Sequence, residues 1–117
     1  MTLEEKRKKL QKLRLDAEKK FGKGALINAN EVEKVTFYST GVPSLDTILS
    51  GGVCSGRLFS VYGEYSSGKS SFALQTIAYN QKINEDFTAL YVDQESSFDK
   101  DYAKALGVDL DRMDVIP

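Results

Sequence analysis

The segment from Gly63 to Ser70 constrains the fold of this chain more than any other stretch. It reads Gly-Glu-Tyr-Ser-Ser-Gly-Lys-Ser and matches the pattern G-x-x-x-x-G-K-[ST] of phosphate-binding loops. The apolar run 58–62 before it predicts a buried strand, and apolar residues at helical spacing over 69–81 predict a helix. A strand, a glycine loop and a helix in this order predict a site where backbone N–H groups hold phosphate groups.

The residue types of this segment suit a nucleoside triphosphate. Gly63 and Gly68 allow the backbone to approach a phosphate closely. A helix beginning at Lys69 directs its free N–H groups at the negative charge of the phosphates. Lys69 would reach the β- and γ-phosphates, and Ser70 would bind Mg²⁺. The alternative is a Gly/Ser-rich turn that binds nothing. The predicted phosphate-binding residues are Gly63, Glu64, Tyr65, Ser66, Ser67, Gly68, Lys69 and Ser70.

Length and composition fit a soluble single domain or one piece of a larger protein. The chain has 117 residues, of which 41% are hydrophobic and 28% charged. It has no apolar run of the roughly 18 residues that a membrane span needs, and its N-terminus lacks the apolar core of a signal peptide. The single cysteine, Cys54, cannot form an internal disulfide and is predicted to be a small core residue. We therefore predict a cytoplasmic protein without a membrane partner.

The first 24 residues differ from the rest of the chain in charge. They hold nine basic and four acidic residues, whereas residues 25–117 hold seven and thirteen. Residues 3–20 predict a helix that ends at Gly22 as a left-handed cap. The apolar stripe of this helix consists of Leu10, Leu13, Ala17 and Phe21. The stripe either docks on another subunit or belongs to a solvated helix, and the lysines around it could meet phosphate backbones.

Short apolar runs alternate with helical patterns along the rest of the chain. Strands are predicted at 35–38 and 87–92, and helices around 45–49 and 100–106. Val115 is predicted to begin a further strand. This alternation predicts an α/β core with a mostly parallel sheet.

A second candidate site follows the strand predicted at 87–92. Ligands of open α/β sheets lie beyond the carboxyl ends of the strands, so Glu95 is a candidate for activating a water molecule. The alternative is an acidic residue at the start of a helix. Asp99 and Tyr102 come next, and they could contact the edge and the face of a base. A core tyrosine is the alternative interpretation of Tyr102.

Taken in order, these segments resemble the N-terminal part of bacterial-type RecA recombinases, over nearly the whole chain. The phosphate-loop pattern alone occurs in many ATPases, but the ordered set is specific. The matching segments are Phe21-Gly22-Lys23-Gly24, Ser39-Thr40-Gly41, Leu45-Asp46, Gly51-Gly52, Gly56-Arg57, Tyr62-Gly63, Ser66-Ser67-Gly68-Lys69-Ser70, Val92-Asp93-Gln94-Glu95, Asp99, Tyr102-Ala103 and Leu106-Gly107-Val108-Asp109.

The resemblance implies a RecA-like P-loop ATPase core in residues 25–117, with a parallel sheet that is incomplete at its C-terminus. It implies that the basic helix in residues 1–24 docks on a neighbouring protomer of a filament. Glu95 would be the catalytic carboxylate, and Asp99 and Tyr102 would contact the adenine of ATP. The implied function is ATP-dependent strand exchange on single-stranded DNA, in homologous recombination, DNA repair and the SOS response to DNA damage.

The chain departs from the family pattern at several positions. Glu64 and Tyr65 stand where the family usually has proline and glutamate, and Ser70 replaces the commoner threonine. These differences suggest a divergent member, such as a phage-encoded one. The family's second aspartate-bearing strand, its DNA-contacting loops and its C-terminal domain would lie beyond Pro117.

Two other functions stay open at this point, as does the question of whether the chain alone hydrolyses ATP. One is a non-catalytic module that binds nucleotide and docks on filaments. The other is a P-loop kinase for a small molecule, which lacks support because residues 39–57 resemble recombinases.

Overall fold

The computed structural model describes all residues from 1 to 117, and these divide into two units, residues 1–34 and residues 35–117. The first unit contains helix α1 (Leu3–Phe21) and a 3-10 turn (Ala29–Glu31). The second unit alternates strands and helices, which makes it α/β, as the sequence predicts. In chain order its elements are β1 (Phe37–Tyr38), α2 (Pro43–Ile48), β2 (Val53–Cys54), α3 (Lys69–Ile83), β3 (Ala89–Val92), α4 (Lys100–Ala105), a 3-10 turn (Leu110–Arg112) and β4 (Met113–Ile116). The functional division into residues 1–24 and 25–117 stays a prediction.

Helix α1 begins with a capping box. The Thr2 hydroxyl accepts a hydrogen bond from the Glu5 N–H, and the Glu5 carboxylate accepts one from the Thr2 N–H. The apolar stripe is exposed, at 59% for Leu10 and 56% for Leu13. No helix of the structure is both long enough and apolar enough to cross a bilayer.

The prediction that Gly22 ends α1 as a left-handed cap is wrong about the conformation of Gly22. Gly22 has a positive φ of 97°, but its ψ of 166° is extended and not left-handed helical. The chain leaves the helix through a turn in which the Ala25 N–H donates to the Gly22 carbonyl, so it does not wrap back over the last turn. The Gly22 N–H still donates to the Glu18 carbonyl.

The strands of the second unit form two small sheets. β1 and β2 pair antiparallel, with Phe37 opposite Cys54. β3 and β4 pair parallel, from Ala89 opposite Met113 to Val92 opposite Ile116, and α4 lies in the crossover between them. The sequence did not predict β2, because its two residues lie between Gly51-Gly52 and Ser55-Gly56 and belong to no longer apolar run.

The strand predicted at 58–62 is not formed. Leu58 is 99% exposed and Tyr62 is 92% exposed, although Phe59 stacks on Phe72 with ring centroids 6.4 Å apart. A strand needs a hydrogen-bonded neighbour, and the pairs in this structure are β1 with β2 and β3 with β4. The apolar composition of 58–62 therefore favours an extended chain, but no other strand of residues 1–117 pairs with it.

The core of the second unit lies between α3, α4 and one face of the parallel pair. Its buried hydrophobic residues are Leu74, Ala78, Ala103, Val108 and Met113. Side chains of β3 alternate, so Ala89 and Tyr91 pack on this core while Leu90 and Val92 are 64% and 65% exposed. The sheet is thus covered by helices on one face only.

A polar network fastens the C-terminal end of α3. The last carbonyls of a helix lack partners within the helix. Arg112 donates to the carbonyl of Gln81 in the last turn of α3 and to those of Asn84 and Glu85 just after the helix. Its Nε lies 2.8 Å from the Asp109 carboxylate. The buried Gln81 amide also accepts from the Asp109 N–H and donates to the Asp109 carbonyl. Arg112 thus anchors α3 to the segment that leads into β4.

A second network fastens the side of α3 to the loop before α2. Thr40 is 1% exposed, and both its N–H and its hydroxyl donate to the Asp46 carboxylate, at 2.8 and 2.6 Å. The Ser39 hydroxyl donates to the same carboxylate, and the Asn80 amide of α3 donates to the Ser39 carbonyl at 2.8 Å. The hydroxyls of Ser39 and Thr40 and the Thr40 N–H together lower the pKa of Asp46.

We expect Arg112→Ala to lower the free energy of unfolding by about 1–3 kcal/mol, because it removes charged hydrogen bonds to the Gln81 carbonyl in the last turn of α3 and to the carbonyls just after the helix. Urea unfolding followed by circular dichroism measures this change. Arg7→Ala, the same substitution on the exposed side of α1, is the matched control and should change the midpoint little. Equal midpoints for both variants would show that Arg112 does not anchor the helix.

We also expect acid to weaken the fold through Asp46. The pKa of Asp46 is lower in the folded state than in the unfolded chain, where the pKa of an aspartate is about 3.9. Its contribution to stability is therefore complete above that value and is lost as the pH falls through the lower, folded pKa. Unfolding measured at pH 6 and at pH 3 should show a smaller loss of stability for Asp46→Asn than for the wild type. Asp86→Asn, in an exposed loop, should keep the wild-type pH dependence, and an unchanged slope in Asp46→Asn contradicts the assignment.

Candidate functional site

The glycine loop, residues 63–68, leads directly into α3. Gly68 has φ 92° and ψ 17°, a left-handed conformation that glycine adopts without steric cost. The Phe72 N–H donates to the Gly68 carbonyl and forms the first hydrogen bond of the helix. The helix therefore begins at Lys69, as predicted, and its first N–H groups face back toward the loop.

Two serines shape the glycine loop, Ser67 through its side chain and Ser66 through its backbone. A Cβ atom at Gly63 would lie 2.9 Å from the Ser67 hydroxyl, closer than real side chains approach. Ser66 has a positive φ of 59°, which is uncommon for a residue that is not glycine. The Ser67 side chain thus lies against Gly63, four residues earlier in the loop.

The Lys69 side chain folds back over this loop. Its ammonium donates to the carbonyls of Gly63 at 3.0 Å and Glu64 at 2.7 Å. These two bonds hold a positive charge beside the beginning of the loop. The side chain is half-buried, so the charge is less screened than that of an exposed lysine.

A cleft of about 370 Å³ adjoins the loop and the beginning of α3. It brings Glu95 together with Lys69 and Ser70, which belong to the predicted phosphate site. Tyr65, at the edge of the loop, is 95% exposed. The residues that line the cleft are Tyr65, Ser66, Ser67, Gly68, Lys69, Ser70, Ser71, Glu95 and Ser97.

Glu95 lies in a turn that follows β3. Asp93, buried at 7% exposure, accepts from the Ser97 N–H at 3.0 Å and the Phe98 N–H at 2.8 Å. These bonds close the turn, and Ser96 has a positive φ of 52° within it. Glu95 is not at a helix start, because α4 begins at Lys100, so the alternative of an ordinary helix-capping acid does not apply to it.

Asp99 and Tyr102 lie at the beginning of α4. Asp99 is the N-cap, and its Oδ1 accepts from the N–H groups of Asp101 at 2.9 Å and Tyr102 at 3.0 Å. Tyr102 is 45% exposed, which excludes the alternative of a core tyrosine. Its hydroxyl lies 2.6 Å from the Ser71 hydroxyl on the first turn of α3. The structure therefore places the ring of Tyr102 beside the helix that follows the glycine loop.

Sequence analysis missed the contributions of Asp93 and Ser71. Asp93 was recognisable as the first polar residue after a strand, but its bonds to the backbone of the turn depend on the fold of that turn. Ser71 carried no signal, because its partner is 31 residues away in the chain.

Comparisons with known proteins agree with this arrangement of elements. The model of the RecA N-terminal domain matches residues 8–116. Protein RecA of Clostridium novyi is 45% identical over 112 residues, which are 93% of this chain and 31% of that protein. Protein RecA of Wolinella succinogenes is 42% identical over 117 residues, covering 97% of this chain and 33% of that protein.

Protein RecA of Trichodesmium erythraeum is 40% identical over 111 residues, covering 93% of this chain and 30% of that protein. The chain thus spans about a third of the length of these curated relatives. Because the family model covers nearly every residue, from the second turn of α1 to the end of β4, the chain belongs to the RecA N-terminal domain family.

Proposed function

We propose that this chain is the ATP-binding segment of a RecA-type DNA-dependent ATPase and recombinase, built on a P-loop core. The cleft that joins the glycine loop, Lys69 and Ser70 to Glu95 carries this proposal. Membership of the RecA family supports it, since the relatives are RecA proteins that match this chain over most of its length.

The residues of the glycine loop fit the phosphates of ATP. Gly63 and Gly68 carry no side chain that would stand between the backbone and a ligand, and the space where a Cβ atom of Gly68 would lie is open. The first N–H groups of α3 have no partners within the helix and favour a negative charge. Gly63, Glu64, Tyr65, Ser66, Ser67 and Gly68 would surround the phosphates with backbone, and Lys69 would neutralise part of their charge.

Mg²⁺ fits the same cleft through Ser70. This ion prefers oxygen ligands and keeps several of its waters, so it needs few protein ligands. The Ser70 hydroxyl is exposed at the beginning of α3 and lines the cleft. When bound, Mg²⁺ would neutralise charge that develops on the phosphate oxygens.

Glu95 would act as the catalytic carboxylate. It lines the same cleft as Ser70, on a turn whose backbone accepts support from the Asp93 carboxylate. A carboxylate beside the phosphate site can orient a water molecule and accept its proton. Asp99 and Tyr102 would contact adenine, Tyr102 through its exposed ring and Asp99 through the carboxylate that also caps α4.

The activity of the whole protein would be ATP-dependent strand exchange on single-stranded DNA, in recombination and repair. In this chain α1 would serve self-association into filaments, because its stripe of Leu10 and Leu13 is exposed. The same observation favours a second candidate function, a non-catalytic module that binds nucleotide and docks on filaments.

We expect Lys69→Ala to weaken binding of Mg-ATP at least tenfold, which corresponds to about 1.4 kcal/mol. The substitution removes the ammonium from the glycine loop and leaves backbone dipoles alone to face the phosphate charge. Isothermal titration calorimetry measures the affinity. Lys82→Ala, in the last turn of the same helix, is the control and should bind as the wild type does. Equal affinities for Lys69→Ala and the wild type would refute the assignment of the loop.

We expect Tyr102→Ala to weaken ATP binding and to leave binding of inorganic triphosphate nearly unchanged. Stacking of a base on an aromatic ring contributes roughly 1–3 kcal/mol in nucleic-acid sites, and inorganic triphosphate has no base. Calorimetry with both ligands makes the comparison. Equal losses for the two ligands would mean that Tyr102 supports the fold and does not contact adenine.

A further inference from the structure

We propose that Ser71 is a positioning residue that holds the ring of Tyr102 in the orientation needed for stacking on the nucleobase. The inference rests on the proposed function, and it adds a residue to which neither the motif nor the sequence analysis gave a role. It also makes a physical link between the base side and the phosphate side of the site.

The link is one hydrogen bond between two helices. The hydroxyls of Ser71 and Tyr102 lie 2.6 Å apart, a normal distance for two hydroxyl groups. Ser71 is in the first turn of α3, directly after Ser70, and Tyr102 is in the first turn of α4. Any shift of α4 relative to the glycine loop would stretch or break this bond.

Tyr102 is held at both of its ends. Its backbone N–H donates to the Asp99 carboxylate, which fixes the beginning of α4. Its hydroxyl, at the far end of the side chain, meets Ser71. A tyrosine has two rotatable side-chain bonds, and the hydrogen bond at the hydroxyl favours the rotamer that reaches Ser71. The side chain is still 45% exposed, so the bond orders the ring without burying it.

An ordered ring binds a base more tightly than a mobile one. A flexible side chain loses rotamer freedom when it is immobilised by a ligand, and a pre-ordered side chain has already lost it. The contribution of Ser71 should therefore appear only for ligands that carry a base. We expect its loss to weaken ATP binding about fivefold, the effect of one typical hydrogen bond.

Ser71 also lines the cleft, so a direct contact with phosphate is the competing role. The two roles differ in their ligand dependence. A phosphate contact would contribute equally to ATP and to inorganic triphosphate. A positioning role would contribute to ATP alone, and it would require the hydroxyl of Tyr102.

The test is a double-mutant cycle on the 117-residue chain. Ser71→Ala, Tyr102→Phe and the double variant are titrated with Mg-ATP and with inorganic triphosphate plus Mg²⁺. We expect each single variant to bind ATP about fivefold more weakly and the double variant to be no weaker than either, because both substitutions remove the same bond. Triphosphate binding should be unchanged throughout, and Ser71→Thr, which keeps a hydroxyl, should restore ATP binding.

Two controls exclude general effects on the fold. Ser44→Ala, the same substitution on the exposed side of α2, should bind both ligands as the wild type does. Thermal unfolding should give similar midpoints for all variants, because the bond lies at the surface.

Several outcomes would overturn the inference. Equal losses of ATP and triphosphate affinity in Ser71→Ala would assign Ser71 to the phosphates, and additive losses in the double variant would show that the two hydroxyls act independently. Unchanged ATP binding in Ser71→Ala would overturn it as well. If the wild type binds neither ligand, the proposed function fails and the inference fails with it; the other outcomes leave the proposed function standing.

Discussion

The structure of residues 35–117 depends on the anchoring of α3. Leu74 and Ala78 bury one face of this helix in the core, and Asn80 ties its side to the loop before α2. Arg112 and Gln81 bind its C-terminal end to the segment before β4. The middle and the C-terminal end of α3 are thus bound to the rest of this unit, and the glycine loop is attached at its N-terminal end. The loop is therefore held by contacts made several turns away from it.

The opposite side of the cleft is built from the elements that follow α3. β3 pairs with β4, and Asp93 follows the last residue of β3. The Asp93 carboxylate closes the turn that carries Glu95. Asp99 then begins α4 and sets the position of Tyr102. The buried Asp93 thus supports the turn that carries Glu95, which lines the cleft, and the capping Asp99 supports the helix that carries Tyr102. The bond between Ser71 and Tyr102 is where the two sides meet directly.

Apolar surface is left exposed on the side of the parallel pair that the helices do not cover. Leu90 and Val92 point to that side, and Leu58 and Tyr62 are exposed in the segment before the glycine loop. A cleft of about 480 Å³ with aromatic and aliphatic walls lies between this segment and α3. The hydrophobic residues of 58–62 predicted a strand there. Hydrophobic residues favour burial, but a strand also needs a neighbouring strand to accept and donate its backbone hydrogen bonds.

Sequence alone determined the local elements, which are α1, α3 and α4, the strands around 37–38, 89–92 and 113–116, and the glycine loop with Lys69 at the helix start. It also determined membership of the RecA family. These follow from periodicity, glycine positions and motif spacing, which act over a few residues. Only the tertiary structure decided that 58–62 stays unpaired, that Glu95 shares a cleft with Ser70, and that Ser71 meets Tyr102. These features join residues from 25 to 31 positions apart, or require a neighbouring strand, and no local pattern encodes such distances.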